Sequence, residues 1–302
     1  MTDGFHRPAI PDDDLATQIA QATQEALAEL PLEVRDGLCL VALLTTGEAL
    51  RPYLSLTTHG DDQWNLADSP FAIIGDGRFA ALDESWSARG MLADLGPDAS
   101  LAEFLDRMAT LEEALRVVDV SGVFGAGEPR ERVLLSVSTM PPDRLDVGYV
   151  RRLNPHSVLH DRWFAEAAEG PVLRAQPGDR PPASDAHISA APNPSLAGLW
   201  RVTDGLELDD GTTLYSAADI AERNETYEVA EYAPGWLLVG DVSGGYGYLM
   251  RSAPGEFRPE RGRSAAEVFR LDLGAITSDV PGEADFVTDD LVGWIATRRD
   301  AL

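Results

Sequence analysis

PGWLLVGDVSGGYGYLM, the stretch from Pro234 to Met250, decides how the chain is read. Trp236 to Val239 is a short apolar run of strand type. Asp241 to Gly245 is turn chemistry, with Gly244 and Gly245 adjacent and able to take positive φ. Tyr246, Tyr248 and Met250 then alternate with Gly247 and Leu249 at strand period. The segment predicts a β-hairpin. A phosphate-cradling loop competes for the same glycines, but such a loop leads from a strand into a helix whose amides face the anion. Here the glycines lead into aromatic alternation and no Lys follows them, so the hairpin reading stands.

Upstream, Leu199-Trp-Arg-Val-Thr-Asp-Gly-Leu206 reads as a short helix ending on an Asp-Gly step, and Leu214-Tyr215 precedes a helix. With Pro234 to Asp241 and Gly244-Gly245, this order resembles the SUKH superfamily, which includes bacterial immunity proteins and the fungal Smi/Knr cell-wall regulators. The family's longer helical lead-in is reduced here to Asn193-Pro-Ser-Leu-Ala-Gly198. The resemblance implies a compact α+β domain whose sheet and helices form a recognition cleft. It also implies a protein that neutralises a bacterial toxin domain by direct, non-covalent binding. By analogy with the fungal members, the alternative is a regulatory or scaffold protein with endogenous partners.

The chain has 302 residues, which predicts two domains. No apolar run approaches the ~20 residues of a membrane helix. Asp12, Asp13 and Asp14 stand where a signal peptide would carry its apolar core, so the expectation is a cytoplasmic protein that binds no membrane. A single Cys39 excludes an internal disulfide framework and reads as a buried small hydrophobe. Net charge is -27, every one of the 24 basic residues is Arg, and both halves are acidic. That field argues against a nucleic-acid partner and favours solubility or a basic protein partner. A GC-rich codon bias accounts for the missing Lys better than any function does.

In the first half, Asp12 to Asp14 open a helix whose apolar face is Leu15, Ile19, Ala22, Ala26, Leu27 and Leu30, following a loose arm over residues 1–11. Leu38 to Thr46 predicts a buried strand and Pro52 to Thr58 a half-exposed one. Ser100 as N-cap with Glu103 suggests a capping box, followed by Leu101, Phe104, Leu105, Met108, Leu111, Leu115 and Val118 on one face. Arg132 to Thr139 predicts a strand. With Gly122-Val-Phe-Gly125 and Arg151-Arg-Leu-Asn-Pro155, this order resembles a bacterial family of unknown function.

Gly170 to Pro194 is rich in Pro and lacks apolar periodicity, which suggests a linker or surface loop. The expected organisation is therefore an α+β domain over 1–170, a Pro/Gly-rich linker over 171–194 and a SUKH-like α+β domain over 195–302. Each domain is expected to pack helices on a mostly antiparallel sheet. In the second, Ser216 is expected to cap a helix running through Glu231, Ser264 to cap a short helix around Val268 and Phe269, and Thr288 to open a C-terminal helix.

No nucleophile elbow, Walker Lys, zinc-protease helix or opposed carboxylate pair is present in the sequence, so the expectation is a non-enzymatic binder without cofactor. The expected partner surface is Glu222, Glu225 and Glu228 on the helix, Asp241 in the turn, and Tyr246 and Tyr248 on the hairpin. A Glu series at this spacing is also what an ordinary solvated helix face looks like. His156 and His160, four apart with Asp161 adjacent, form the best metal-ligand pattern of the chain. A metal-dependent enzyme built on these three is the second alternative.

Overall fold

The computed structural model describes residues 7–60, 62–143, 145–168, 170–242, 245–252 and 266–300. Residues 1–6 of the expected arm, Asp61, Ser243 and Gly244 of the turn, and the expected cap Ser264 lie outside the described residues. The protein is α+β and divides into two compact units, residues 9–170 and the chain from Pro171 onward.

In the first unit, α1 (Asp13–Ala28) starts as the triple Asp predicts, with the Asp12 side chain accepting from the Leu15 amide. Strands β1 (Leu38–Thr46), β2 (Tyr53–Thr58) and β3 (Leu134–Met140) form a sheet in the order β2-β1-β3. β2 joins β1 antiparallel and β3 joins it parallel, so this sheet is mixed where a mostly antiparallel one was expected. The crossover between β1 and β3 carries the long helix α2 (Pro97–Val120). One face of the sheet, with Val41, Leu43 and Leu135, packs on Ile19 and Leu27 of α1 and Met108 and Leu111 of α2. The other face, with Leu40 and Leu134, meets Val147 and Val150 of α3 (Asp146–Leu153) and Trp163 of α4 (Val158–Glu166). Helices on both faces explain why β1 reads as an unbroken apolar run.

The capping box expected at Ser100 does not form. α2 begins three residues earlier on Pro97, whose fixed φ suits the first helical position, leaving Ser100 inside the helix. Glu103 is instead held by arginines. Its Oε1 accepts from Arg89 Nε at 2.7 Å and from Arg107 Nε at 2.8 Å. Arg107 is 1 % exposed and also donates to the carbonyls of Ala49 (3.1 Å) and Gly90 (2.6 Å). A buried acid, Glu112, lies between Arg116 and Arg152, the latter donating to Oε2 at 2.8 Å. Burial pushes this carboxyl up, but Arg152 and then Arg116 outweigh it and hold the group down at about 2.

That depression has a pH consequence. A carboxyl whose folded value lies below its unfolded value adds stability that is complete above the unfolded value, near 4.5, and lost as pH falls toward about 2. Urea midpoints of the wild type should therefore fall through this window, by an amount equivalent to roughly 2–4 kcal/mol. Glu112→Gln should be less stable at pH 7 and lack this component of the acid loss. An unchanged acid profile in Glu112→Gln would refute the assignment.

The second unit is built on a six-stranded antiparallel sheet, β4 (Leu206–Glu207), β5 (Thr212–Leu214), β6 (Trp236–Val242), β7 (Tyr246–Arg251), β8 (Val268–Asp272) and β9 (Asp285–Thr288), paired in chain order. The β6–β7 hairpin is the one read from Pro234 to Met250. Where β5 crosses it, a Cβ on Gly240 would stand 2.3 Å from the Thr213 carbonyl oxygen, so only glycine allows β5 to approach β6 here. α5 (Pro194–Trp200) and α8 (Leu291–Asp300) pack on the sheet through Leu196, Leu199 and Trp200 and through Leu291 and Ile295.

Three expectations for this unit need correction. Val268 and Phe269 belong to a strand, not a helix, because a short apolar run satisfies either period and the sheet edge offered by β7 decides. Thr288 ends β9, and its hydroxyl accepts from the Asp290 amide just before α8. The helix expected from Ser216 through Glu231 is two pieces, α6 (Asp219–Thr226) and α7 (Val229–Tyr232), separated by Glu228 at φ 50. The Pro/Gly-rich stretch, read as a linker or surface loop, is packed on the second unit. Leu173 and Ala183 enter the second core, the Ala183 amide donates to the Trp200 carbonyl, and Asp179 pairs with Arg299 of α8 through both oxygens.

Both units lock a helix to a strand with the same device. In the first, Asn154, just after α3, donates to Val150 O and Leu135 O and accepts from Leu135 N. In the second, Asn224 of α6 donates to Ile220 O and Leu238 O and accepts from Leu238 N. Each amide side chain closes the strand backbone at a residue where no neighbouring strand is paired on that side, which removes an open edge.

Candidate functional site

Tyr215, at the end of β5, anchors a cleft of about 370 Å³ within the second unit. Asp179, Arg180, Glu207, Asp219 and Arg223 line it with Tyr215. The Tyr215 hydroxyl donates to Asp241 Oδ2 at 2.5 Å, and the Arg223 guanidinium lies 5.6 Å from its ring centroid. Burial, then the bond to Asp241, push this phenol well above its ordinary value, so it stays a donor. Asp219 Oδ2 accepts from Ser216 Oγ at 2.6 Å and faces Arg180 Nη1 at 3.5 Å. The Ser216 bond, with Arg180, holds Asp219 below the usual carboxylate range. The cleft thus carries two solvent-reaching guanidiniums among carboxylates on a hydrogen-bonded floor.

α6 has two roles. Asp219 and Arg223 face the cleft, while Glu222 and Glu225, three apart on the helix, are exposed and make no ion pair among the described residues. Glu228 is exposed too, but at the break between α6 and α7 and so not on a continuous helical face. With Glu231, it raises the hydroxyl of the exposed Tyr232.

The hairpin residues separate. Asp241 lies in β6 and not in the turn, and its carboxylate is engaged by Tyr215. Tyr246 is 44 % exposed, with the Arg270 guanidinium 5.6 Å from its ring centroid. Tyr248 is 3 % exposed and packs against Trp294 with ring centroids 5.3 Å apart and planes tilted by 58°, which places it in the core and corrects its expected place on a surface. Alternation could not separate the two, because helices cover this face of the sheet at Tyr248 and stop short of Tyr246. Arg180, Tyr215 and Arg223 were not singled out from the sequence. Their only signal was Leu214-Tyr215 before a helix, and Arg180 sat in the stretch read as linker.

In the first unit, His156, His160 and Asp161 converge from both sides of a helix start. α4 begins after Ser157, whose hydroxyl caps it, so His156 precedes the helix. It reaches back to place Nε2 3.0 Å from Asp161 Oδ1, and His160 Nδ1 lies 3.5 Å from the same oxygen. Burial, outweighing Asp161, lowers His160 to about 4.

A family model described as a domain of unknown function, DUF4303, matches residues 19–155. The match runs from within α1 to the residue before His156, which places it on the half that resembles a bacterial family of unknown function. No curated protein matches the chain. No helix among the described residues is long and apolar enough to cross a membrane.

Proposed function

We propose that the chain is a non-enzymatic protein-binding module, and specifically an immunity protein whose second unit neutralises a basic bacterial toxin domain by direct binding. The observation that carries this reading is α6, which lines the cleft with Asp219 and Arg223 while presenting Glu222 and Glu225 to solvent. The resemblance of Asn193 to Gly245 to SUKH proteins supports it, as does the net charge of -27. Exposed glutamates on the helix that lines the cleft offer a basic partner long-range attraction beside a concave seat. If the toxin is a nuclease, the same carboxylates compete with nucleic acid for its basic active cleft. Glu222, Glu225, Glu228 and Tyr246 are the accessible members of the proposed surface. Asp241 acts through Tyr215.

The test begins with capture of a partner from the native cells by the tagged full-length protein, eluted in salt steps. Expected is a basic toxin-domain protein that salt releases and whose toxicity co-expression of this chain suppresses. Glu222→Gln/Glu225→Gln/Glu228→Gln should slow association with that partner by ~10-fold at low salt while changing dissociation little. Partner binding that ignores both salt and the triple substitution would remove the electrostatic basis of the reading.

A further inference from the structure

The geometry points to a divalent transition-metal site formed by His156, His160 and Asp161, of the zinc class, with the remaining coordination positions open to water. This site lies in the first unit and is independent of the binding surface proposed above.

Donor geometry is the first argument. Around a tetrahedral ion with bonds of about 2.0–2.1 Å, neighbouring ligand atoms stand about 3.3 Å apart. The two imidazole nitrogens lie 3.0 and 3.5 Å from one carboxylate oxygen, and all three ligand atoms fall within 4.8 Å of one another. Two imidazoles and one carboxylate suit zinc and its neighbours, whereas Mg²⁺ and Ca²⁺ prefer all-oxygen sets.

The second argument is His160 itself. A simple hydrogen-bonded His–Asp cluster would satisfy each ring nitrogen that is removed from water. Yet His160 Nδ1 is buried and its one near partner, Asp161 Oδ1, stands at 3.5 Å, too long for a well-formed hydrogen bond, while the same oxygen lies 3.0 Å from His156 Nε2. Two imidazole nitrogens gathered on one carboxylate oxygen, one of them buried and poorly satisfied, is an arrangement that a bound cation would complete. The ring is fixed there by Phe164, whose centroid is 4.7 Å from that of His160.

Two features limit affinity. Arg151 stacks on Phe164 at 5.1 Å, and the cluster sits at the first turn of α4, the positive end of that helix. Only Asp161 contributes negative charge. A dissociation constant on the order of micromolar is therefore expected, weaker than a closed four-ligand site.

The experiment titrates the full-length, chelator-stripped protein with Zn²⁺ by calorimetry and with Co²⁺ by visible absorption. One equivalent of each should bind, and Co²⁺ should develop the ligand-field bands of a low-coordinate site. Asp161→Asn, on an exposed side chain, and His160→Gln should each weaken binding by ~10-fold or more, with His187→Gln unchanged. Circular dichroism of each variant confirms that it is folded. Absence of Zn²⁺ binding up to about 1 mM, or equal binding by folded His156→Gln/His160→Gln, overturns the proposal.

Discussion

Arg107→Ala should destabilise the first unit by about 3–5 kcal/mol, the loss expected when one partner of a buried ionic cluster is removed. The residue is 1 % exposed and its guanidinium bonds to four acceptors, Glu103 and the carbonyls of Ala49, Arg89 and Gly90. Glu103 keeps Arg89 as a partner after the substitution. Gly90 O loses the Arg107 donor, and Ala49 O keeps the Trp86 indole. Ala49 itself sits at φ 46, a conformation that an alanine adopts only when its surroundings hold it there. The tight turn after β1 is therefore fixed from the side by α2. Arg107→Lys should recover less than half of the loss, since an ammonium cannot span these four acceptors as a planar fork does. Urea unfolding followed by circular dichroism measures both variants. A loss below about 1 kcal/mol for Arg107→Ala would mean that the cluster contributes nothing beyond an ordinary surface pair.

Trp200→Ala should cost the second unit a comparable amount, about 3–5 kcal/mol, by emptying the largest fully buried side chain. Its ring, 2 % exposed, joins α5 to the sheet, and its indole N–H donates to the Tyr215 carbonyl at 3.1 Å. Trp200→Phe keeps most of the volume but leaves that carbonyl without this donor, so a smaller loss of about 1–3 kcal/mol is expected. The comparison separates packing from the hydrogen bond. Because the bond holds the backbone of a residue that lines the cleft, Trp200→Phe should also weaken partner binding under conditions where the variant remains fully folded. Equal stability of Trp200→Ala and wild type would place the core elsewhere.

What could be read in advance depended on whether a local period had one physical solution. Asp12 to Leu30 could only be an amphipathic helix, and Trp236 to Met250 only a hairpin, because turn glycines and aromatic alternation agree. Val268-Phe269 satisfied helix and strand alike, and pairing with β7, remote from the local pattern, chose the strand. Ser100 and Glu103 had the spacing of a capping box, yet Glu103 gains more from two guanidiniums than from one backbone amide. The Glu series suggested one helix because charge spacing carries no signal for the left-handed residue at Glu228. The cleft was hidden for a different reason: Arg180, Tyr215 and Arg223 come from a proline-rich strap, a strand end and a helix, and nothing local connects them. His156, His160 and Asp161 were visible as a triplet, although their convergence depends on the helix starting after Ser157.

Cys39 gives the chain an internal clock. It is the only thiol, it lies at the irregularity in the β1–β2 register, and it is 0 % exposed. Burial pushes it up to about 12, so the folded chain holds almost no thiolate. A thiol reagent can therefore modify it only in the instants when β1 is uncovered. The modification rate, divided by that of a free thiol under the same conditions, gives the fraction of time the first unit spends open. The second unit has no thiol and contributes nothing to that signal, so opening of one half can be timed in the intact protein without introducing a label.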